Sequence, residues 1–169
     1  EFAVRDLPSL QLDPRDVAID PDVAEAAALA HDLGHPPFGH IAEEQLNDCL
    51  VRAGNPEGYV GNAQSFRILT KLAAKNPEHA GLDLTRATLN AVLKYPWHRG
   101  DGDPAKPEKF GAYRTERADF DFAREGTVPR WQSLEAQIMD HADNVAYSVH
   151  DLDDFYRAGL VPLELLQAT

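Results

Sequence analysis

The stretch DPDVAEAAALAHDLGHPPFGHIAEEQLNDCLVRAG, residues 20–54, decides the fold class. It reads as two helices with a sharp break between them. Asp20 is a good helix cap, Pro21 suits the first helical position, and Asp22 puts an acid in the first turn. The alanine-rich run then carries the helix to Asp32. Gly34 stops it, with Pro36 and Pro37 just beyond, as helix ends prefer. The second helix is expected from about His40 to Arg52, ending at Gly54.

The same pattern continues outward. A third helix is predicted from about Ala63 to Lys75 and a fourth from Thr85 to Leu93, just before Tyr95-Pro96-Trp97. The longest helix is predicted from about Ser133 to Ala158, closed by Gly159. Residues 98–130 are rich in Gly, Pro and charge, which predicts a long loop or lid with little regular structure. No segment alternates apolar and polar residues for long, and no Asn-Gly or Asp-Gly pair joins two β-branched runs. The expectation is an all-α helical bundle forming one domain over residues 1–169. Residues 1–7 read as a helix tail with no start signal, and Val161 to Thr169 open an amphipathic run without a cap. The chain is therefore expected to be a fragment of a larger, mostly helical protein.

Composition narrows the function classes. With 169 residues, the chain is long enough for a real core. No apolar run approaches the ~20 residues that a membrane span needs. Cys49 is the only cysteine, so no internal disulfide is available and a cytoplasmic location is the default. Sixteen basic residues against twenty-eight acidic ones give a formal charge of −12, which argues against broad binding to duplex DNA. The same acidity suits recruitment of divalent cations, although solubility alone would also explain it.

The chemistry concentrates at the break. Residues 31–40, HDLGHPPFGH, pack three histidines and a carboxylate together. Imidazole with carboxylate suits Mn, Fe, Co, Ni or Zn, with Mg a less typical guest, and the thiolates of a structural zinc site are missing. His31 and Asp32 are adjacent at a helix end and can both reach one ion beyond it. His40 and Glu43 stand three apart and share a helix face, so the carboxylate can hold the imidazole for proton transfer. A single histidine is most often a packing residue. Three, with Asp32 and Glu43, within residues 31–43 are hard to dismiss in that way.

The long helix offers a second set. Leu134, Ile138, Ala142, Val145, Val149 and Leu152 form an apolar stripe, expected to face the core. Asp140, Asp143, Tyr147, Asp151 and Asp154 fall on the opposite side. Periodicity alone reads them as a solvated face. Tyr147 within the acidic stripe, with Asp143 and Asp151 a turn to either side, makes a pocket wall the competing reading.

Taken together, these residues resemble the HD superfamily. More narrowly, ALAHDLGHPPFGH (28–40), GNAQSFRIL (61–69), LTRATL (84–89), KYPW (94–97), KFG (109–111) and EAQIMD (135–140), running on to Asp151, resemble the deoxyguanosine triphosphate triphosphohydrolases. The resemblance covers about residues 20–156 and implies an HD-domain bundle and a reaction. A deoxynucleoside triphosphate, dGTP first among them, would be hydrolysed by a metal-activated water at the α-phosphorus, releasing deoxynucleoside and inorganic triphosphate.

Residue by residue, the resemblance implies His31, Asp32 and Asp143 as ligands of a divalent ion (Mg, Mn, Fe, Co or Ni). It implies His40 as the group that protonates the leaving 5′-oxygen, with Glu43 orienting it. His35, Asn62 and Lys94 would lie beside the phosphates, Tyr147 would stack on the deoxyribose and exclude a 2′-hydroxyl, and Asp151 would bind the 3′-hydroxyl. It further implies a homo-oligomer, a hexamer, and leaves room for a single-stranded DNA effector. One departure stands out. The family's first metal-binding histidine is absent, since no histidine precedes His31. It is expected one or two helical turns before Glu1. The base-contacting region is expected after Thr169, so base preference is not readable. The competing classes are another HD nucleotide phosphohydrolase or phosphodiesterase, and a non-catalytic regulator that binds nucleotide or single-stranded DNA.

Overall fold

A computed structural model describes residues 19–161. The expected helix tail at residues 1–7 lies outside the described residues, as does the amphipathic run beyond Val161. The described chain is helical: α1 (Pro21–Ala30), α2 (Gly39–Arg52), α3 (Gly61–Arg67) leading into a π-helical turn (Ile68–Leu72), α4 (Arg86–Val92), α5 (Arg117–Arg124) and α6 (Leu134–Arg157). Pairing between extended residues is limited, among those described, to two isolated bridges, Asn76 with His79 and His98 with Ala112. None of the described helices is long and apolar enough to cross a membrane.

The Asp20 cap works as read, and the predicted starts at Thr85 and Ser133 prove to be caps too. The Asp20 carboxylate accepts from the backbone of Asp22 and Val23, and Thr85 and Ser133 cap α4 and α6 through their hydroxyls. The third helix stops earlier than expected. The π turn ends it at Leu72, and Ala73 is already extended. Two consecutive left-handed residues, Phe38 (φ 73°) and Gly39 (φ 62°), swing the chain into α2. Phe38 holds that conformation without glycine's freedom.

The core lies where α1 and α4 pack on each other and on α6, with α5 against α4. Ala27, Ala30, Leu69, Leu89, Leu93 and Met139 are among its buried members. Small alanines on α1 let the helices approach closely. A second cluster, Val60, Ala63, Phe110 and Tyr113, packs under Trp97.

Two expectations need correction. Most of residues 98–130 lies outside regular helix, but the stretch is not all loop, because it holds α5 and a preceding 3₁₀ turn, Arg114–Glu116. Phe110, Ala112, Tyr113 and Ala123 from this stretch are buried. Widely spaced apolar anchors order it, and its charges pair locally, as in Arg117 with Asp121. The apolar stripe of α6 is not its core face. Ile138 is 43 % exposed and Val149 61 %, with Val145 and Leu152 between them. Ala136 and Met139 are buried instead, and Asp140 and Asp143 lie half-buried against the other helices. Periodicity shows that one face of a helix is apolar. It does not show which face the same chain covers.

Gly34 fixes the break between α1 and α2. A Cβ there would sit 2.2 Å from the backbone nitrogen of Ser65 and 2.4 Å from the Gly61 carbonyl. Gly34 N–H donates to Ser65 Oγ at 2.9 Å, and the Gly34 carbonyl accepts from Tyr59 Oη at 2.6 Å. Gly34→Ala is therefore expected to destabilise the protein by about 1–3 kcal/mol, because backbone rather than a movable side chain blocks the methyl. Chemical denaturation of the two proteins checks this, and equal midpoints would contradict it.

Candidate metal centre

The end of α1 presents the first ligands. His31 caps the helix through its backbone, donating to Ala27 O, and residues 31–34 turn rather than continue. The His31 ring lies with Nδ1 2.7 Å from the carbonyl of Ala28. A carbonyl can only accept, so Nδ1 carries a proton, and in the neutral ring the lone pair is on Nε2. That Nε2 is buried and has no in-line hydrogen-bond partner. It stands 3.3 Å from Asp32 Oδ2 and 3.4 Å from Asp143 Oδ1. One donor atom each from His31, Asp32 and Asp143 lie within 4.8 Å of one another.

This set fits a divalent cation. An imidazole lone pair without a donor and two converging carboxylates form a mixed N/O ligand set of the kind first-row divalent metals take. The surrounding contacts steady the ligands. Lys94, just past the end of α4, places Nζ 2.7 Å from Asp140 Oδ1 and 3.0 Å from Asp143 Oδ2. Asp143 thus has one oxygen pinned by the ammonium and the other turned to His31, an outer contact of the kind that orients ligands. Burial opposes the Lys94 charge, but Asp140 and Asp143 together outweigh it and hold its pKa above the ordinary range. Asp32 pulls the His31 imidazole up to about 9 against the effect of burial. His31 and then His35 hold the Asp32 carboxyl well below the usual range. A cation entering the site therefore competes with a proton on His31.

His35 joins this centre to a second one. Its Nδ1 lies 3.0 Å from Asp32 Oδ1, and Asp32 raises its pKa. Its ring meets that of His40 edge to face, with centroids 6.2 Å apart. His40, on the first turn of α2, places Nδ1 3.1 Å from Glu43 Oε2. Glu43 is the buried residue of α2. Its other oxygen accepts from Gly61 N–H at 2.8 Å. Burial alone would raise the Glu43 pKa, but the Gly61 N–H and His40 more than offset this and lower it. A cavity of about 340 Å³ opens beside the pair, lined among others by Asn47, Tyr59, Arg99 and Lys109. The metal-centre residues do not line it.

The structure thus brings together His31, Asp32, His35, Lys94 and Asp143, and separately His40 with Glu43. Tyr147 and Asp151 follow Asp143 by one and two turns of α6, and both are exposed. Asn62 is half-buried in the first turn of α3, next to Gly61, and makes no side-chain hydrogen bond among the described residues. Sequence reasoning gave no role to Ser65 or Tyr59. Yet the Ser65 hydroxyl lies 2.6 Å from the His31 carbonyl and with Tyr59 clamps the His-rich turn. No local pattern marks a serine on one helix as the partner of a turn far upstream.

Comparison with known proteins adds a lineage. The pattern of the HD domain matches residues 9–148. A deoxyguanosinetriphosphate triphosphohydrolase-like protein of Streptomyces coelicolor is 50 % identical over 154 residues, covering 88 % of this chain and 35 % of its own length. Proteins of the same description are 43 % identical in Corynebacterium efficiens (89 % of this chain, 35 % of the relative) and 45 % identical in Bifidobacterium longum (83 % and 30 %). The chain spans about a third of the length of these relatives.

Proposed function

The chain belongs to the HD-domain family, and from that premise we propose that it is the metal-binding and proton-donating core of a deoxynucleoside triphosphate triphosphohydrolase, with dGTP the first candidate substrate. The observation that carries this reading is the convergence of His31, Asp32 and Asp143 within 4.8 Å, with the His40–Glu43 pair close by. The names of the relatives point to the same substrate class. When bound, a divalent cation would neutralise phosphate charge and make a nearby water more acidic.

The chain's own residues do the rest. His31, Asp32 and Asp143 hold the ion. His40, fixed through Nδ1 by Glu43, turns Nε2 toward the leaving 5′-oxygen and gives it a proton as the phosphorus–oxygen bond breaks. Water's oxygen bonds to the α-phosphorus, and deoxynucleoside and triphosphate leave. Lys94 has three N–H groups and two carboxylate partners, so one donor remains for a phosphate oxygen. His35 and Asn62 would contact the phosphates, and Tyr147 and Asp151 the sugar. The apolar stripe left open on α6 suits burial against another segment or subunit, in keeping with a homo-oligomer.

Phosphorus NMR of the full-length protein with dGTP and a divalent metal tests the reading. Free triphosphate is the expected product. Pyrophosphate with dGMP, or phosphate with dGDP, would assign a different HD phosphohydrolase activity. Bound but unchanged dGTP would assign a regulator.

Tyr147 gives a specificity test. It is exposed on the same side of α6 as Asp143, where a sugar would lie. Rejection of an added hydroxyl by shape reaches about a hundredfold, and Tyr147→Ala is expected to cut the preference for dGTP over GTP to within about tenfold. The ratio of kcat/KM for the two nucleotides measures it. An unchanged ratio would remove Tyr147 from sugar selection.

A further inference from the structure

We propose that Tyr113 is a positioning residue for the His40–Glu43 pair and acts through the Val60–Gly61 peptide; the inference rests on the proton-donor role proposed for His40. Tyr113 is 2 % exposed, and its hydroxyl reaches only Val60 among the hydrogen bonds of the described residues. The hydroxyl accepts from Val60 N–H at 3.0 Å and donates to Val60 O at 3.3 Å. The next residue, Gly61, donates its N–H to Glu43 Oε1 at 2.8 Å. Glu43 Oε2 lies 3.1 Å from His40 Nδ1. A phenol, a peptide, a carboxylate and an imidazole thus form one continuous chain, and each carboxylate oxygen has its own partner.

The hydroxyl is not needed for packing. The Tyr113 ring fills the cluster with Val60, Ala63 and Phe110, meets Phe110 edge to face at 5.6 Å, and carries the Arg67 guanidinium over its face at 4.2 Å. A phenylalanine would keep all of these. What it would lose is the grip on Val60, the residue just before α3 at its N-terminal cap. The His35 ring packs closely on the following glycine, where a Cβ at Gly61 would stand 2.9 Å from it. Tyr113, His35 and Glu43 therefore confine the peptide from three sides. If it shifts, the Glu43 carboxylate loses its fixed donor, and with it the angle at which it holds His40. Small misplacements of a catalytic group cost heavily in rate.

The test uses the full-length protein with Tyr113→Phe, Glu43→Ala and the double variant. Tyr113→Phe is expected to lower kcat about tenfold with KM and metal content unchanged. In the Glu43→Ala background the same substitution should cost less than about twofold, because its route to His40 is already cut. Equal losses in both backgrounds, or no loss in kcat, would overturn the proposal. Amide hydrogen exchange provides a readout independent of activity. Tyr113→Phe should speed exchange at Gly61 by about tenfold while leaving Ala91 and Val92 in α4 unchanged. A uniform rise across both helices would mean general loosening and would overturn it. If dGTP is not hydrolysed at all, the reading of function fails, and exchange at Gly61 alone decides whether Tyr113 holds the peptide.

Discussion

Replacing His40 with alanine is expected to lower kcat by about 10²–10⁴-fold, the range that general acid catalysis supplies, with metal content unchanged. The 5′-alkoxide is a poor leaving group, so its departure depends on a proton arriving as the bond breaks. In the proposed reaction His40 would bring it. Its side chain is 67 % exposed, its Nδ1 is committed to Glu43, and it stands outside the set of atoms that converge on His31 Nε2. Glu43→Ala should lower kcat in the same direction, because an imidazole without its carboxylate loses both its orientation and its favoured tautomer. The double variant should be little worse than His40→Ala alone, since the two act as a unit. Two other roles predict different patterns on the same sample. A metal ligand would take the metal with it, and a simple phosphate contact would raise KM while preserving kcat.

How much of this could be read from the sequence differs from element to element. The helix starts at Asp20, Thr85 and Ser133 were legible because capping is local: a hydroxyl or carboxylate bonds backbone two or three residues on. The His31–Asp32 pair was legible because adjacency at a helix end already implies a shared target. Asp143 was reachable only through the family resemblance, since nothing local separates it from its acidic neighbours on α6. The buried face of that helix was misread because its larger apolar side chains lie on the side that the described chain leaves open. Within segment 98–130 the sequence reading missed α5 and the buried anchors. Its Gly, Pro and charge content is that of a loop, while the few anchors that order it, Phe110, Tyr113 and Ala123, are too widely spaced to show a period. Gly34 was read as a helix stop, yet its φ is ordinary and what it supplies is space beside Ser65. Contacts between distant segments carry no signature in either partner alone.

His31→Ala is expected to abolish stoichiometric metal binding. The imidazole would contribute the one nitrogen of the set, once a cation displaces the proton from its Nε2, which is buried between Asp32 and Asp143. Without it, two carboxylates remain, one of them half engaged by Lys94. Outer contacts of that kind typically affect metal affinity about 10–100-fold, and loss of a direct ligand should exceed that. Asp143→Ala should act in the same direction and also free Lys94 from one of its partners. The most direct test of the metal centre is elemental analysis of the full-length protein beside His31→Ala and the His31→Ala, Asp143→Ala double variant, all purified in parallel. The account predicts about one divalent ion per chain in the first and far less in both variants; a full equivalent of metal retained by the double variant would contradict it.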